Sequence, residues 1–151
     1  MESFGEILVA SSDLEMRRSI VTILRRLGAD PICASTVGQS REALTEHNVG
    51  LVFCDRQFAD GSYRDVLESL RTELTEDKTR VVLTTTFVNP GEYHEAKQSG
   101  VFDVIASPEQ AVAVEWMVIL AQRDALKRSE HALLSRTAGF GGFPAAAAAK
   151  A

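Results

Sequence analysis

The chain has 151 residues, 45% of them hydrophobic and 25% charged, which is ordinary globular composition with enough apolar material for one packed core. A formal net charge of −5 offers no basic footprint for neutralising many phosphates, which argues against a nucleic-acid partner. The opening MESFGEILVASSD lacks a cationic stretch before an apolar run, and no later segment is continuously apolar across a bilayer's width. A cytoplasmic protein without a membrane partner is therefore expected.

Short β-branched runs alternate with segments of helical period, and this predicts an α/β fold in which helices cover both faces of a parallel sheet. The first strand is expected over Glu6–Ala10, and Ser11, Ser12 and Asp13 form the turn after it. Asp13 suits a helix N-cap, and the helix should run to about Leu27 and stop at Gly28. Its inward stripe is read as Leu14, Ile20, Ile23, Leu24 and Leu27, with Arg17, Arg18, Arg25 and Arg26 towards solvent. A strand over Pro31–Ala34 and a helix over Thr36–His47 follow, then a strand over Gly50–Cys54 that delivers Asp55 into a loop. The remaining elements are a helix over Ser62–Leu74, a strand over Arg80–Thr85, a helix over Pro90–Ser99 closed by Gly100, and a strand over Phe102–Ala106.

The last helix, Pro108–Thr137, is longer than such a domain needs, and Val112, Ile119, Leu126 and Leu133 recur along it every seventh residue. Arg123, Lys127 and Glu130 interrupt the companion positions. The pattern leaves open both a single helix with a solvated end and a coiled coil that would make the chain a homodimer, with the line serving partly the core and partly self-association. The expected division is a domain over 1–125, a helical extension over 126–137 and a disordered linker or tail over 138–151, where GFGGFPAAAAAKA is of low complexity. Cys33 and Cys54 lie in apolar runs and read as buried, reduced thiols. His47, His94 and His131 lack metal-ligand spacing and read as solvated.

Ligands of open parallel sheets bind beyond the carboxyl ends of the strands. The residues to weigh are then Ser11-Ser12-Asp13, Asp55, Thr84-Thr85-Thr86 and Ser107-Pro108. Each has a purely structural alternative: Asp55 as a loop cap, Thr85 as a β-branched strand residue, the serines as turn formers.

In these positions the chain resembles the receiver domain of two-component response regulators, from about Glu6 to Arg123. The segment LVFCDRQFADGSY is similar to the family's phosphoacceptor strand and loop, D-x-x-L-P-D-G-S-G, with Asp55 at the acceptor, Ala59 where proline is usual and Tyr63 where glycine is usual. VVLTTT resembles the fourth strand, with Thr85 at its hydroxyl position; ILVASSDLEMRR resembles the first strand and turn; FDVIASP resembles the fifth strand and its lysine-proline pair. The resemblance implies a doubly wound, flavodoxin-like sheet of order 2-1-3-4-5 and a cis Ser107–Pro108 bond. It implies a histidine kinase, an output domain or another signalling protein as partner.

The same alignment carries departures. Ser11 and Ser12 stand where the family has an acidic pair for Mg²⁺, Ser107 where it has a lysine, and Val104 where it has a Tyr or Phe. Mg²⁺ is held by carboxylates, phosphates and retained waters, so Asp55 alone makes a poor site and Mg²⁺ binding is expected to be weak or absent. The expectation is a receiver-like interaction module with an impaired phosphorylation site, no metal site, no cofactor and no enzymatic activity. Two alternatives stay open. One is a working receiver phosphorylated at Asp55 by a histidine kinase, helped by Asp13 or Asp60. The other is an anion-binding module using Ser11, Ser12 and Thr84 to Thr86, although VASSDLE has no Gly-rich phosphate loop.

Overall fold

Period-two alternation sorts the strand side chains into two apolar layers. Leu8, Ala10, Val52, Cys54, Val81 and Leu83 lie in one buried cluster, and Ile7, Val9, Leu51, Phe53 and Val82 lie in the other. Both faces are therefore sticky, and each is covered by helices. The computed structural model describes residues 5–72, 79–85, 89–106 and 110–141. Its main sheet comprises β1 (Glu6–Ala10), β2 (Ile32–Ala34), β3 (Val49–Asp55), β4 (Arg80–Thr84) and β5 (Asp103–Ile105), apart from a short antiparallel pairing of Gln57–Phe58 with Gly61–Ser62. The strands of the main sheet are all parallel, in the order β2-β1-β3-β4-β5. This is the doubly wound, flavodoxin-like arrangement, in which the order reverses between β1 and β3.

Helices α1 (Leu14–Arg26) and α5 (Ala111–Gly141) pack on one face, whereas α2 (Val37–Glu46), α3 (Tyr63–Thr72) and α4 (Pro90–Ser99) cover the other. Local chemistry sets the ends. Asp13 caps α1 by accepting from the Glu15 and Met16 N–H groups, and Thr36 and Asn89 cap α2 and α4 in the same way. Gly100 closes α4 at φ +112°, a left-handed conformation that glycine adopts without Cβ strain.

Several sequence expectations are corrected. Leu14 and Leu27 are 48% and 42% exposed, and the inward stripe of α1 is Ile20, Val21, Ile23 and Leu24. The expected stripe fails at the two ends of the helix. Arg17 is not simply solvated: its Nη1 donates to the Ser11 carbonyl at 2.6 Å. Cys33 is exposed, because β2 is an edge strand, whereas Cys54 in central β3 is fully buried. The line Val112, Ile119, Leu126 and Leu133 does not enter the core; Val114, Met117, Val118 and Ala121 do. Helix α5 starts at Ala111 and continues to Gly141. Ser107, Pro108 and the bond between them lie outside the described residues, as do Thr86 and residues 142–151. His47, His94 and His131 are exposed as expected. Among the described residues no helix is long and apolar enough to cross a membrane.

Candidate functional site

Three strands end together at the carboxyl edge of the sheet, and each contributes a polar residue there. Asp55 is the last residue of β3 rather than a loop residue; it stands in register with Thr84, the last of β4. Ser11 follows β1, and its N–H donates to the Ala34 carbonyl at 2.9 Å, which fixes the turn against the end of β2. Ser11, Asp55 and Thr84 are all buried.

The carboxylate of Asp55 is held by hydroxyls. Ser11 Oγ donates to Oδ2 at 2.9 Å and Thr84 Oγ1 donates to Oδ1 at 3.3 Å. Ser11 Oγ also accepts the Asp13 N–H at 3.1 Å, so it serves the turn and the carboxylate at once. Burial pushes the Asp55 carboxyl above the ordinary carboxylate range; the Ser11 and Thr84 hydroxyls and the Ser12 backbone N–H pull it partly back, and the negative charge of Asp13 adds a smaller upward push. Burial first, and the Asp55 charge second, push the neighbouring Cys54 thiol well above its usual range, so it stays protonated and inert.

Ser12 is exposed, and it meets the site through its backbone. Asp13 is spent on α1: its Oδ1 accepts from the Glu15 and Met16 N–H groups at 2.9 and 3.2 Å. Those are the N–H groups an anion would need at this helix start, and two carboxylates stand beside them. Asp60 is also committed, since its two oxygens accept the Val37 and Gly38 N–H groups at 2.9 and 3.1 Å. Its carboxyl is held below the usual range by those bonds. It belongs to the N-terminus of α2 and not to the Asp55 site.

Thr85 is a correction. The resemblance assigned it the hydroxyl position, yet it is Thr84 whose hydroxyl bonds Asp55, while the Thr85 N–H donates to the Ile105 carbonyl at 3.0 Å. Thr85 instead lines a polar cleft of about 390 Å³ beside the site, with Arg56, Tyr63, Arg64, Glu92 and Glu95. Two ion pairs cross this cleft, Arg56 to Glu92 at 3.0 Å and Arg64 to Glu95 at 2.6 Å, and they tie the Asp55 loop and α3 to α4. The Tyr63 ring is buried, and its hydroxyl accepts from Arg64 Nε at 3.3 Å. Arg17 and Met16 are further neighbours that sequence reasoning missed, since only the fold brings the first turn of α1 over this edge; the Met16 sulfur lies 3.7 Å from Thr84 Oγ1.

The donor set does not suit a resident Mg²⁺. Both carboxylate oxygens of Asp55 are engaged by hydroxyls, Asp13 is turned to its cap, and Ser11 and Thr84 carry no charge to offset the dehydration of a small dication. Among the described residues, no group of three or more His, Cys, Asp or Glu side chains is placed to hold a metal ion.

No protein-family model matches the sequence, and neither does any curated protein. Solved structures do match. NtrX from Brucella abortus aligns with a TM-score of 0.77 at 24% identity, over 89% of this chain and 30% of the NtrX chain. A CheY-like response regulator receiver domain protein from Methanospirillum hungatei aligns with a TM-score of 0.72 at 16% identity, over 82% of this chain and 97% of the other. The chemotaxis response regulator CheY4 of Vibrio cholerae gives 0.71 at 13% identity, over 78% and 98%. The fold is the one that these receiver domains have. At these identities the likeness is one of fold.

Proposed function

We propose that the chain is an atypical receiver domain of two-component phosphorelay signalling that acts as a protein-interaction module, its Mg²⁺-dependent phosphorylation site being impaired. One observation carries this reading: the buried Asp55 carboxylate is satisfied by the hydroxyls of Ser11 and Thr84, in a place where phosphoryl transfer needs concentrated charge. Transfer to a carboxylate depends on positioning and on stabilising three developing anionic oxygens, which hydroxyls do poorly. Ser107, in place of the family's lysine, removes the cationic half of the same machinery. The domain over residues 1–125 then works through its surfaces, towards a histidine kinase, an output domain or another signalling protein, in the cytoplasm and without enzymatic activity of its own.

The location of Asp55 favours a second reading, in which a histidine kinase still phosphorylates it and supplies the positioning that the pocket lacks. Isothermal titration with MgCl₂ tests the impaired-site reading at the level of the metal. The wild type should show only weak heat, and Ser11→Asp, Ser12→Asp and Ser107→Lys introduced together should recover measurable binding, since carboxylates supply the charge that Mg²⁺ requires. Tight binding by the wild type would contradict the impaired-site reading.

A further inference from the structure

The outward face of α5 carries a strip that the domain itself does not use. Val114, Met117, Val118 and Ala121 turn inwards and are buried. On the opposite side stand Val112 (77% exposed), Trp116 (50%), Ile119 (43%), Leu126 (56%) and Leu134 (66%). Between them, on the same side, lie Arg123 and Glu130, both exposed and neither in an ion pair with another described residue. The steps along this strip are three or four residues, which keeps all of it on one face of an α-helix. An exposed line of large apolar side chains along one helix face marks an interface, unlike apolar residues scattered singly.

The two charges identify the occupant. If a symmetric copy of α5 docked in parallel, each strip residue would meet its own counterpart, placing Arg123 on Arg123 and Glu130 on Glu130. If the copy docks antiparallel about a two-fold axis between Leu126 and Lys127, residues equidistant from the axis meet. Arg123 of one copy then faces Glu130 of the other, twice, and Ile119 faces Leu134, twice, with Leu126 beside the axis. Charge and apolar surface are satisfied by the same register. We propose that the partner of this face is a second copy of the chain, docked antiparallel along α5 so that the distal half of each helix covers Trp116 to Arg123 of the other. Buried charges at a helical seam fix orientation and register in just this way. Lys127 lies at the rim, where its methylenes can cover Leu126 while the amine stays in water. The proposal deepens the interaction-module reading by naming a partner, and its test reads mass and proximity rather than phosphate or Mg²⁺, so either can fail alone.

Sedimentation equilibrium of the full chain should show a dimer. Arg123→Glu and Glu130→Arg, each alone, place like charges opposite one another and should raise the dissociation constant about tenfold or more. The two combined should restore it, with far-UV circular dichroism checking the fold of each variant. Independently, Ile119→Cys and Leu134→Cys chains made in a Cys33→Ser background should cross-link when mixed, whereas Ile119→Cys alone should not, its two copies being about 22 Å apart along the axis. A wild-type monomer at the highest soluble concentration would overturn the proposal and leave the strip to another protein. A dimer indifferent to the single reversals, single reversals that the double variant fails to rescue, or efficient Ile119–Ile119 cross-linking would overturn it equally.

Discussion

Asp55 is a buried carboxyl whose environment disfavours its charge. Burial raises its pKa in the folded state above the 3.8 of an ordinary aspartate, so the fold retains a proton that the unfolded chain has already released. Stability therefore falls as pH rises from the unfolded value through the folded one, and the penalty persists above both. Asn at this position keeps an acceptor for Ser11 and Thr84 and carries no charge. Asp55→Asn should then be more stable than the wild type at pH 7, with the gap closing as the pH approaches about 4; urea denaturation at both values measures it, and a gap that widens on acidification would refute the sign. Asp13 behaves differently, because its role is the cap of α1. Asp13→Ala should cost about 1 kcal/mol of stability, read by thermal denaturation, while the hydroxyl bonds of Asp55 remain.

At this scale the sequence was legible where a residue's job is set by its immediate neighbours. Asp13 before an amphipathic run reads as a cap, and it is one. Asp55 was legible as the acidic end of an apolar strand. Thr84 was harder, since VVLTTT offers three hydroxyls and only the pairing of β3 with β4 sets the first of them in register with Asp55. Arg17 was missed for a similar reason: helical period alone sends it to solvent, whereas the nearby Ser11 carbonyl gives its guanidinium a better partner.

Among the elements, the loop between β3 and α3 shows how much of the DGS motif is structural. Asp60 reaches back to the first N–H groups of α2, and a Cβ on Gly61 would lie 2.5 Å from Asp65 Oδ2 and 3.1 Å from Val37. The loop is thus built to join α2 and α3, with or without phosphate chemistry. Asp60→Ala should lower the melting temperature by frayed packing at the start of α2, and the loss should vanish in acid. The carboxyl of Asp60 is depressed by those N–H bonds, so its stabilisation is present above the unfolded pKa and disappears as pH falls through the folded one. A melting difference unchanged from neutral to strongly acidic pH would show that the bonds contribute nothing. The period of α5 was legible before its direction was: every-seventh spacing marked one line of apolar residues, but a second line, one face round, supplies the core. Periodicity finds a stripe, and only packing decides which stripe faces in.

For the molecule as a whole, the fold was readable because each level points the same way. Apolar runs in β3 and β4 demanded cover on both faces, the strand and helix alternation demanded parallel crossovers, and the resemblance to receiver domains implied the order β2-β1-β3-β4-β5 that the sheet has. What composition and period could not give was the hydrogen bonding of the pocket, which depends on the side chains that the fold brings to Asp55. On the proposed reading, a receiver-shaped domain whose Asp55 is bonded by the Ser11 and Thr84 hydroxyls should not be phosphorylated as a working receiver would be. The direct measurement is intact-protein mass after incubation with a small acyl-phosphate donor and Mg²⁺, wild type beside Asp55→Asn. The mass of both should stay unchanged; a wild-type gain of one phosphoryl group that Asp55→Asn abolishes would contradict the account.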